Sequence, residues 1–123
     1  MKLEQQVCSL ELAKKLKELG FYQESLFCWT ELNGDWFIYY IDRDGGFSIP
    51  KDCEDKFISA YTVAELCNFL PQESGSMSLA IRKCSTGWFV GYENMNSTIA
   101  KNDTSLPNAL AKMSIYFEEN GLL

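Results

Sequence analysis

Leu12, Leu16 and Leu19 recur at helical spacing with Ala13 beside them, while Glu11, Lys14, Lys15, Lys17 and Glu18 fill the intervening positions. The pattern predicts an amphipathic helix from about Ser9 to Leu19, with Ser9 as its cap and Gly20 as its stop. Leu26 to Trp29 and Trp36 to Ile41 then flank Asn33-Gly34-Asp35, and aromatic and branched residues on both sides of an Asn-Gly pair predict a hairpin. A second turn, Asp42-Arg43-Asp44-Gly45-Gly46, leads into Phe47 to Ile49 before Pro50, so a meander of three strands is expected. Lys51 to Lys56 is charged and reads as a loop.

The segment Tyr61 to Leu70 predicts a second helix. Thr62 and Glu65 have capping-box spacing, Tyr61 and Leu66 stand where a hydrophobic staple packs, and Pro71 blocks continuation. Gln72 to Ser76 reads as a flexible link. Met77, Leu79 and Ile81 alternate with Ser78, Ala80 and Arg82, and Trp88, Val90 and Tyr92 answer them across Ser85-Thr86-Gly87, which predicts a second hairpin. Asn94 to Asp103 is polar and expected to be exposed. A third helix is predicted from about Ser105 to Glu119, with Leu106, Leu110, Met113 and Phe117 on one stripe, Ala109 and Tyr116 widening it, and Thr104 as the candidate cap. The order α-βββ-α-ββ-α implies an α+β fold, an antiparallel sheet covered by three helices in a single domain over residues 1–123.

Composition supports one packed core. At 123 residues, with 46% hydrophobic and 14% aromatic residues, the chain has the mass for a single domain and no disordered character. Eleven basic against seventeen acidic residues give a net charge of −6, which disfavours nucleic acid as a partner. The N-terminus carries Lys2, Glu4, Gln5 and Gln6 in place of an apolar leader, and no run is long enough to span a bilayer, so a cytoplasmic protein without a membrane association is expected. Cys8, Cys28, Cys53, Cys67 and Cys84 are odd in number and scattered, which fits a reducing compartment.

The chain contains no histidine, and that removes the commonest general base and metal ligand. No two cysteines have zinc-site spacing. Asp42 to Gly46 resembles the start of a calcium loop, but Phe47 takes the place of its glycine and Cys53 that of its closing glutamate, so a hairpin turn accounts for it better. Gly45-Gly46 lacks the Lys-Ser/Thr of a phosphate loop. Asp52, Glu54 and Asp55, like Glu118 and Glu119, lie in charged runs that read as solvated surface. No catalytic, cofactor-binding or metal-ligating residue is therefore expected, and the chain reads as a non-enzymatic binding protein.

Ser9 to Trp29 offers an alternative, a helix-turn-helix-like segment of a nucleic-acid-associated regulator using the Lys14, Lys15 and Lys17 face. Against it, Leu26-Phe27-Cys28-Trp29 supplies no basic side chain to a groove. The aromatic run Trp36-Phe37-Ile38-Tyr39-Tyr40 is apolar on both faces, as expected of a strand covered on each side or one whose outer face meets a partner chain, with a homodimer among the outcomes.

Three segments carry a resemblance: Gln6 to Gly20 with Gln23-Glu24-Ser25-Leu26-Phe27, Thr62-Val63-Ala64-Glu65-Leu66 ahead of Leu70-Pro71, and Asn108-Ala109-Leu110-Ala111-Lys112-Met113. In this order they resemble small uncharacterised proteins of phages and integrated elements in gut anaerobes, and the layout is loosely similar to the phage alpha-beta-alpha sandwich domain proteins. The resemblance implies a phage or prophage origin, an intracellular setting, and no activity, cofactor or catalytic residue. Phe21-Tyr22 departs from it, since a smaller and more polar pair is expected there.

Overall fold

The computed structural model describes residues 2–40 and 56–123. After a short 3-10 turn at Leu3–Gln5 come α1 (Leu10–Glu18), β1 (Phe27–Leu32), β2 (Asp35–Tyr40), β3 (Phe57–Ser59), α2 (Val63–Phe69), β4 (Glu73–Ser74), β5 (Met77–Cys84), β6 (Gly87–Glu93), β7 (Thr98–Asp103) and α3 (Leu106–Glu119). The fold is α+β, with three helices and two antiparallel sheets ordered β2-β1-β3 and β4-β5-β6-β7. The expected single sheet is thus divided in two. On one side α3 packs on β6 and β7, on the other it meets α1 and α2, and α1 in turn touches β3. Helices consequently lie between the sheets.

Local chemistry sets the element ends. Ser9 Oγ accepts from Leu12 N, and Gly20, at φ 89°, lets its own N–H reach Lys17 O and that of Phe21 reach Leu16 O, closing α1. The Thr62–Glu65 capping box forms as predicted, with Tyr61 and Leu66 both buried at the staple positions. Asn33 and Gly34 adopt positive φ (53° and 85°), the primed turn that matches strand twist, and Leu32 pairs directly with Asp35. For α3 the cap is Ser105, not Thr104: its Oγ accepts from Asn108 N at 3.3 Å. Thr104 cannot serve because β7 runs up to Asp103, whose carboxylate takes the Ser105 N–H at 2.9 Å.

Two strands arise where the sequence suggested loops. Gln72–Ser76 holds β4, a tight hairpin about Gly75 (φ 61°) that pairs with the start of β5. Thr98–Asp103, within the polar Asn94–Asp103 stretch expected to be exposed, pairs along β6 as β7. Its inward side chains are Ile99, Lys101 and Asp103, opposite Tyr92, Val90 and Trp88. Only one of the three is apolar, so the alternation is hidden. Lys101 Nζ lies 4.9 Å from the Tyr116 ring centre, and Asp103 pairs with Lys112 of α3 at 2.7 Å. Partial burial opposes ionisation of Asp103, yet hydrogen bonds from Lys112 and the Ser105 N–H outweigh it and hold the carboxyl below its ordinary pKa. The third strand of the first sheet is β3; the strand expected over Phe47–Ile49 and most of the loop over Lys51–Lys56 lie outside the described residues.

The core joins both sheets to the helices. Leu16, Ile58, Tyr61, Leu66, Val90, Tyr92, Leu110, Met113 and Phe117 are all buried in it. Burial on α3 reaches Ala109, Leu110, Ala111, Met113, Ser114, Ile115 and Phe117, wider than the predicted stripe, because a sheet lies on one side and two helices on the other. Ser114 is tolerated there because its hydroxyl donates to Leu110 O at 2.9 Å. Phe21, the departure noted in the sequence, packs edge-on against Phe69 at 5.0 Å, while Tyr22 points to solvent.

The link from α1 to β1 is held by side chains. Glu65 Oε1 accepts from Ser25 Oγ (2.8 Å) and Thr62 N (2.9 Å), and its Oε2 accepts from Leu26 N (3.0 Å). Gln23 receives the Ser59 N–H at 2.9 Å and donates to the Tyr61 hydroxyl at 2.8 Å, and that hydroxyl donates to Tyr22 O. Glu65→Ala therefore removes a helix cap and the anchor of residues 25 and 26 together. Urea denaturation should show a loss of about 2–4 kcal/mol, with Glu65→Gln, which keeps an acceptor, losing less. A loss under about 0.5 kcal/mol would show that the link is held by other means.

Tyr92 stacks on Phe117 at 4.5 Å and donates its hydroxyl to Pro71 O. Burial, followed by the neighbouring Cys67 thiolate, pushes its pKa from 10.0 up to about 12. The unfolded chain thus releases this proton first, so the stability is complete below pH 10 and falls as pH rises towards 12. Tyr61 is shifted the same way by burial. Denaturation midpoints measured from pH 8 upward should decline through this window, and Tyr92→Phe should flatten the decline.

Candidate recognition surface

Direct strand pairing decides which side chains of the three-stranded sheet share a face. Trp29 opposes Ile38 and Ile58, and Glu31 opposes Trp36. Of these, Ile58 belongs to the core and Trp29 and Trp36 pack against it, so this face looks inward. Trp29 Nε1 donates to Cys8 O at 3.2 Å, and Lys14 lies over the Trp36 ring at 4.9 Å.

The other face carries Cys28, Thr30 and Leu32 from β1, Asp35, Phe37 and Tyr39 from β2, and Phe57 and Ser59 from β3. Cys28, Thr30 and Ser59 are buried, but Leu32 is 48%, Phe37 46% and Tyr39 44% exposed, with Leu26 just ahead of β1 at 51%. The Phe37 and Tyr39 rings meet edge-on at 6.5 Å. These four apolar side chains, each about half exposed, form a ridge on or beside that face.

The four-stranded sheet treats its outer face differently. Phe89 folds across Gly91, where an added Cβ would stand 2.7 Å from the ring and 2.8 Å from Ile99 O. Arg82 covers that ring at 4.2 Å and makes a two-pronged contact with Glu93 at 2.7 and 3.1 Å. That aromatic is thus covered by its own chain.

A cleft of about 850 Å³ lies where the three helices begin, among Gln5, Ser9, Thr62, Trp88, Ser105 and Asn108. Its polar groups are largely engaged with one another. Ser9, Thr62 and Ser105 each cap their own helix, and Asn108 Oδ1 accepts the Ser9 N–H at 2.8 Å. This arrangement fastens helix starts side by side.

Among the described residues, those weighed for chemistry do not converge. Among the described residues, no group of three or more Cys, Asp or Glu could hold a metal ion. Asp42 to Gly46 and Asp52, Glu54 and Asp55 lie outside the described residues, Glu118 is exposed at the end of α3, and Glu119 pairs with Lys15 at 3.7 Å. The basic face of α1 is likewise engaged: Lys14 on Trp36, Lys15 with Glu119, and Lys17 donating to Phe57 O at 3.1 Å. After α1 the chain runs through residues 21–26 without helix and enters β1, so the second helix of a helix-turn-helix does not form. No helix among the described residues is long and apolar enough to cross a membrane. Comparison with protein-family models, curated proteins and solved structures finds no match to this chain.

Thiol chemistry separates by burial. Burial pushes the Cys8 thiol from 9.0 to about 11, well away from a reactive thiolate, while Cys84 is exposed at the end of β5. Iodoacetamide labelling followed by peptide mass mapping should mark Cys84 in the native protein and Cys8 only under unfolding conditions. Equal labelling of both in native buffer would contradict the burial of Cys8.

Proposed function

We propose that this chain is a non-enzymatic recognition module that binds another protein through the outer face of its three-stranded sheet. The observation that carries the reading is the ridge of Leu26, Leu32, Phe37 and Tyr39, each roughly half exposed on or beside one regular sheet. Isolated exposed apolar residues are ordinary, but aromatic and aliphatic groups clustered on a rigid element are what protein interfaces use. A strand and its turn hold these side chains in place before any partner arrives, which lowers the ordering cost of association. The sequence resemblance to phage-encoded proteins fits a small cytoplasmic accessory role of this kind. The nucleic-acid reading has less support, since α1 has no following helix and its three lysines already have contacts within the chain.

A photo-crosslinking amino acid placed at Phe37 or Tyr39 in the producing cell should yield discrete protein adducts. The same group at Ser78, on the outer face of the four-stranded sheet, should yield none. Equal adducts at all three positions, or none at Phe37 and Tyr39, would overturn the reading.

A further inference from the structure

We draw no further inference here: the strongest candidate, the cleft of about 850 Å³ among Ser9, Thr62, Trp88, Ser105 and Asn108, rests on helix starts whose capping groups are engaged within the chain, and nothing in the structure shows what would occupy it.

Discussion

A carboxylate withdrawn from full solvent contact must gather donors, and Glu65 gathers four: Ser25 Oγ, Thr62 N, Thr62 Oγ1 and Leu26 N. Two of these belong to its own helix start and two to the chain entering β1. One side chain therefore fixes how α2 begins and where the three-stranded sheet hangs. The Gln23 amide and the Tyr61 hydroxyl brace the same link from the other side. The placement of β1, and with it the division of faces on that sheet, depends on this junction.

The two sheets resolve the same physical problem in opposite ways. A sheet with helices on one side must do something with the other. On the four-stranded sheet, small residues, a folded-over Phe89 and the Arg82–Glu93 pair cover it. On the three-stranded sheet Leu32, Phe37 and Tyr39 stay about half exposed while Cys28, Thr30 and Ser59 on the same face are buried.

Legibility followed the range of the interaction. The Thr62–Glu65 box, the Asn33-Gly34 turn and the glycine stop of α1 are signals contained within a few residues, and each formed where the sequence placed it. β7 was hidden because its inward Lys101 and Asp103 are satisfied by Tyr116 and Lys112, residues near in space but not in sequence. The split into two sheets was hidden for the same reason. The candidate surface was half legible: Trp36 to Tyr40 was visibly apolar on both faces, yet which residues turn outward depends on pairing register, and a shift of one residue exchanges Phe37 and Tyr39 for Trp36 and Ile38.

The central position of α3 bears on the order of assembly. This helix is buried between β6 and β7 on one side and α1 and α2 on the other, yet it follows all of them along the chain. During synthesis the earlier elements can form caps, turns and hairpins, but the surfaces that close on α3 have nothing to close on until it leaves the ribosome. Until then Val90, Tyr92 and Leu16 are exposed in the nascent chain, so a pause before Leu106 leaves the chain most open to misassociation.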